Sequence, residues 1–118
     1  MGSSYNPLVA PGYIAGTILI AGANIGTPVF LLDLVKARLE PNCPGAALLV
    51  LISSDTDAVY VGASSKLGGA LSAANYGYLL TSGGSSYRSS AGAGNSAPIA
   101  DLQLFCAGAA TLHVEIYS

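Results

Sequence analysis

Turns break this chain at close intervals. Pro41-Asn42-Cys43-Pro44-Gly45, Ser54-Asp55-Thr56-Asp57 and Thr81-Ser82-Gly83-Gly84-Ser85-Ser86 are turn sequences. Proline presets φ, glycine supplies positive φ, and Asp, Asn and Ser bond their own backbone. The apolar runs between such turns are short. Residues 46–53 read as a buried strand, residues 58–62 as a strand rich in β-branched and aromatic side chains, and residues 76–80 as another. Residues 111–117 alternate: Leu112, Val114 and Ile116 fall on one face and Thr111, His113, Glu115 and Tyr117 on the other. Gly108-Ala109 separates them from residues 101–107, so these two runs are expected to form a hairpin. Residues 29–39 fit both periods, with Phe30, Leu31, Leu34, Val35 and Leu39 near helical spacing, and a strand is the expectation there. Six or so short strands without a convincing helix predict an all-β fold. The expectation is an antiparallel β-sandwich or jelly-roll-like barrel over residues 29–118, preceded by an extended, uncharged, glycine-rich N-terminal arm over residues 1–28.

With 118 residues, the chain is one domain's worth of mass and can bury a real core. Six acidic and four basic side chains leave it weakly negative. That excludes a basic nucleic-acid-binding stripe, and the high apolar content excludes disorder. So few charges for a whole exterior imply that neighbours cover much of the surface. Residues 13–26 have the apolar character of a transmembrane helix, with GxxxG spacings at Gly12/Gly16 and Gly22/Gly26. Asn24 and Pro28 interrupt the span before about 20 apolar residues accumulate, and no basic residue precedes it. An extended arm or edge strand laid against a partner is the expectation, with no membrane.

Candidate chemistry is sparse. The single histidine, His113, shares a strand face with Glu115, the pattern of a general base or half a metal site, but no third ligand stands at a telling spacing. Asp55 and Asp57 lack the oxygens and glycine of a calcium loop and read as turn residues. Cys43 and Cys106 lack CxxC spacing and read as small buried side chains. Gly92-Ala93-Gly94-Asn95-Ser96-Ala97 matches a dinucleotide-loop spacing without the strand–helix context that would give it meaning. No catalytic residue, cofactor site or metal site is expected, and the chain is not read as an enzyme. Tyr5, Tyr13, Tyr60, Tyr76, Tyr78 and Tyr87 are the better binding candidates. Several flank Ser/Gly-rich loops, where tyrosine offers rigid contact area with a polar tip.

Ala58-Val59-Tyr60-Val61-Gly62-Ala63-Ser64-Ser65, the run from Leu71 to Leu80, Tyr87-Arg88-Ser89-Ser90, Ala100-Asp101-Leu102-Gln103-Leu104-Phe105 and Leu112-His113-Val114-Glu115-Ile116 occur in that order. This order resembles small virion structural proteins of tailed bacteriophages that carry a VYVG-type β module. The resemblance covers residues 29–118 and leaves residues 1–28 outside. It implies a capsid decoration (cement) protein on the outer capsid surface of the virion, assembled in the bacterial host cytoplasm. It also implies that the protein contacts the major capsid protein and itself, as a homotrimer, and bridges capsomers without catalytic residues. Residues 1–28 would then serve shell or subunit contacts, and the 64–97 loops the exposed or inter-subunit face. The alternatives are a receptor- or glycan-binding module of a virion fibre or tail, and a holin-like membrane protein motivated by residues 12–32.

Overall fold

The computed structural model describes residues 12–84, 86–90 and 97–118. The strands are β1 (Tyr13–Ile20), β2 (Val29–Phe30), β3 (Ala46–Ala47), β4 (Leu49–Ser54), β5 (Val59–Ala63), β6 (Tyr78–Leu80), β7 (Tyr87–Ser90), β8 (Ala97–Pro98), β9 (Leu102–Cys106) and β10 (Ala110–Tyr117). One helix, α1, spans Leu31–Arg38, and a short 3-10 turn spans Gly22–Asn24. The antiparallel pairs are nested: β1 with β10, β2 with β9, β3 with β8, β4 with β7, and β5 with β6. The chain is therefore one long hairpin doubled back on itself. Rolling that hairpin adds the pairs β10–β4 and β5–β9. Two four-stranded sheets result, ordered β1-β10-β4-β7 and β2-β9-β5-β6. This is the jelly-roll arrangement of a β-sandwich.

Alternation builds the core. Val50 and Ile52 of β4 and Leu112, Val114 and Ile116 of β10 face Val59 and Val61 of β5 and Leu102, Leu104 and Cys106 of β9, all buried in one cluster. One side of the sandwich, at β1 and β2, is closed by α1. The other is closed by Tyr78 and Tyr87, whose rings meet edge-on with centroids 5.7 Å apart.

Several expectations are corrected by this arrangement. Residues 29–39 are not a strand: after Phe30 they form α1, which buries Leu31, Leu34 and Val35. Those positions are one helical face, and the helix gains because Asp33 lies in its first turn and Lys36 and Arg38 in its last. Residues 101–107 and 110–117 are not a hairpin. β9 and β10 belong to different sheets, and 107–109 carry the chain between them. Each strand finds a better partner across the roll than its sequence neighbour. The 46–53 run divides at Leu48, which is 62% exposed, and only every second residue of β4 is buried. A two-sheet sandwich buries one face of each strand, so an unbroken apolar run still leaves half its side chains outside. Ser89 and Ser90 end β7.

Part of the segment 1–28 belongs to the first sheet. Tyr13–Ile20 is β1, paired along its whole length with β10, and it puts Ile14, Ile18 and Ile20 into the core. A helix there is excluded by this pairing, and no helix among the described residues is long and apolar enough to cross a membrane. Residues 1–11, including Tyr5, lie outside the described residues, as do residues 91–96 of the glycine-rich loop.

Candidate functional site

The two outer faces of the sandwich differ in chemistry, and strand alternation decides which side chains reach them. On the second sheet, Tyr60 of β5 stands directly opposite Phe105 of β9 and Leu79 of β6. Phe30 of β2 stands opposite Gln103 of β9. All four strands of this sheet lack a charged residue. The 64–77 segment then folds over the sheet at Gly62. A Cβ on Gly62 would come within 2.6 Å of Leu67 Cδ1 and 3.1 Å of Leu71 Cδ1, so the missing side chain is what lets this segment lie close. Leu71 is thereby buried outside the main core.

The same segment delivers Tyr76 onto Tyr60, ring centroids 4.8 Å apart, while the Phe105 ring lies 6.2 Å from that of Tyr60. Tyr76 is 43% exposed, and Phe30 and Leu79 are also exposed. The outcome is a continuous uncharged strip of Tyr76, Tyr60, Phe105 and Leu79, with Phe30 further along the sheet. Charged groups flank it rather than enter it. Asp101 accepts hydrogen bonds from the Ser65 backbone N–H (2.8 Å) and hydroxyl (2.5 Å), which hold its carboxyl below the usual carboxylate range. Asp57 Oδ1 accepts from the Ser82 N–H at 2.8 Å. Both carboxylates are spent on loop geometry, which is the turn role expected of Asp57.

Phe30 also lines a cleft of about 320 Å³ between β2 and α1, with Pro28, Val29 and Leu34 beside Asp33 and Arg38.

The outer face of the first sheet is polar. His113 and Glu115 share it, as their spacing predicts, but they do not bond each other. His113 Nε2 lies 2.7 Å from Asp55 Oδ2, and its Nδ1 lies 3.3 Å from Thr17 Oγ1. Thr17, His113 and Asp55 thus form a hydrogen-bonded series, on an open sheet surface where the histidine side chain is 46% exposed. A hollow of about 90 Å³ beside it is lined by His113, Glu115 and Ser53. An exposed pair of this kind contributes at most about 1 kcal/mol. Asp55 is therefore more than a turn residue, although no metal-capable group of three exists among the described residues.

Glu115 Oε2 accepts from Tyr13 (2.9 Å) and Tyr117 (3.0 Å), whose rings lie 4.8 Å apart. The bond to Glu115 pushes the Tyr13 hydroxyl up to about 12 and raises Tyr117 as well. Because the native state favours the protonated phenol, this contact is intact below the ordinary tyrosine value near 10 and is lost as pH rises through about 12. In a phenolate absorbance titration Tyr13 is expected to ionise near 12, and Glu115→Gln to return it towards 10. An unchanged titration in that variant contradicts the assignment.

Cys43 and Cys106 are free and buried, and burial raises both thiols, Cys106 to about 11. They are core side chains, as their spacing implied.

Of the tyrosines singled out from sequence, Tyr60 and Tyr76 join the strip, Tyr13 pairs with Tyr117 on the opposite face, and Tyr78 and Tyr87 turn towards the sandwich interior. Phe105, Leu79 and Phe30 were missed. The alternation of residues 102–106 places Phe105 off the core face, which was the available signal. No protein-family model matches the chain, and no curated protein or solved structure is significantly similar to it.

Proposed function

We propose that this protein is an assembly module that adheres to a larger protein surface, and specifically a capsid decoration (cement) protein of a tailed bacteriophage. The observation that supports this reading is the charge-free aromatic strip of Tyr60, Tyr76, Phe105 and Leu79 on the outer face of the second sheet. Aromatic area free of charge is the composition of an interface core, where Tyr and Phe are enriched and Asp, Glu and Lys depleted. The remaining surface is poor in charge too, which suits a subunit covered by neighbours. The jelly roll recurs in viral capsid and lectin domains, which is support by analogy only. Attachment of this kind works by contact area, and repetition over a shell adds avidity.

The test is to add the purified protein to expanded capsids that lack it and to image the particles. Regular added density on the outer shell is the expected result. No binding, or binding only at a vertex or tail, overturns the decoration reading. A second reading, a glycan-binding virion module, draws on the same tilted Tyr60–Tyr76 pair, since a sugar ring can lie on an exposed aromatic face. Binding of the isolated protein on a glycan array favours it.

A further inference from the structure

A sheet edge is a row of unpaired backbone groups, and proteins protect such rows by brevity, charge or proline. This sandwich has four edges. β2 has two residues, β6 three, and β7 four with Arg88 among them. β1 differs: eight residues, YIAGTILI, with no charge and no proline. No strand lies beyond it among the described residues.

The pairing on its inner side determines which groups face out. The Ser118 N–H donates to the Gly12 carbonyl at 3.0 Å, and Asp55 N–H donates to Thr111 O at 3.0 Å. Antiparallel ladders alternate, so even-numbered residues of β1 bond to β10, while Tyr13, Ala15, Thr17 and Leu19 direct their N–H and C=O groups to the open edge. The same four residues carry the exposed side chains of β1, with Tyr13 54% and Leu19 51% exposed.

We propose that this edge pairs with β1 of a second copy of the chain, antiparallel across a two-fold axis at Gly16. The two sheets then join into one of eight strands. In this register Tyr13 stands opposite the partner's Leu19, and Ala15 opposite the partner's Thr17. Bulky meets bulky at both ends and small meets small in the middle, so the edge is complementary to itself. Absence of charge on β1 means that the symmetry brings no like charges together, a cost that any edge bearing Lys or Glu would incur. Gly16 meets its own copy at the closely spaced central pair. On its inner side Leu39 packs close, and a Cβ there would displace the Leu39 Cδ2 methyl. The segment 1–11 is a poorer occupant, because Pro7 and Pro11 have no N–H to give a ladder.

Light scattering and sedimentation of the full chain are expected to give twice the 11.7 kDa chain mass. Ala15→Pro removes a donor only from the open edge and is expected to weaken the dimer at least about tenfold. Ala15→Lys does so by charge and guards against misfolding of the proline variant. Under oxidation Tyr13→Cys/Leu19→Cys is expected to give covalent dimers, because hydrogen-bonded pairs hold Cα atoms about 5.5 Å apart, within disulfide range. Ala15→Cys/Leu19→Cys, out of register, is expected not to. A monomer or trimer, a dimer indifferent to both Ala15 variants, or cross-linking in the second pair overturns the proposal. So does a monomer that dimerises only when residues 1–11 are removed. Capsid binding does not enter these readouts, so this proposal and the decoration reading fail separately.

Discussion

Leu104→Ala is expected to remove about 3 kcal/mol of folding stability, within the range for a fully buried leucine whose cavity cannot collapse. Leu104 has no exposed surface and sits at the middle of β9, between Val29 of β2 and Val61 of β5 in register. Its neighbours are held by ladders on both sides, so they cannot move in to fill the space. Domains of this size have a total stability of about 5–15 kcal/mol, so the variant loses a large share. Equilibrium urea unfolding should show a lower midpoint at unchanged slope, and Tm should fall by roughly 10 °C or more. Leu48→Ala is the control, at a residue 62% exposed where the expected change stays within about 0.5 kcal/mol. Equal losses at the two positions would show that the inward face of the second sheet has been misassigned.

If the proposed decoration function holds, Tyr76→Asp is expected to weaken attachment to capsids by about 100-fold or more. Tyr76 lies against Tyr60, which stands between Phe105 and Leu79 in the uncharged strip. Truncating a central aromatic anchor commonly costs about 2 kcal/mol or more, and a carboxylate desolvated among Tyr60, Phe105 and Leu79 adds to that. The residue is in a loop and 43% exposed, so the strand ladders should survive and Tm should change little. His113→Ala, on the polar face of the other sheet, is expected to leave attachment unchanged. Capsid pull-down of both variants distinguishes the faces. Binding lost on His113→Ala and kept on Tyr76→Asp would move the docking surface to the first sheet.

Strand character was most legible in residues 111–117, where one face alone is buried. Residues 112, 114 and 116 alternate because β10 has a core on one side and water on the other, and that period is local. The turns were legible for the same reason, since glycine, proline and aspartate act on their own backbone. The outward position of Phe105 was contained in the same period. Its meeting with Tyr60 and Tyr76 was not, because these residues come from two strands and a loop brought together by pairing.

The sequence by itself thus determined a weakly charged, all-β domain with buried cysteines and with His113 and Glu115 on a common face. Only the tertiary structure decided which strands pair. Tyr13 lies opposite Tyr117, nearly the whole chain away, and β9 leaves its sequence neighbour β10 for β5 and β2. Such pairings rest on the summed burial of two sheets, to which no short window of sequence has access. The same sum turned residues 31–38 into a helix. Their apolar positions fitted both periods, and the open side of the sandwich at β1 and β2 has room for Leu31, Leu34 and Val35 on one helical face. It also left β1 at an edge, so that its uncharged sequence became a surface available to a second chain.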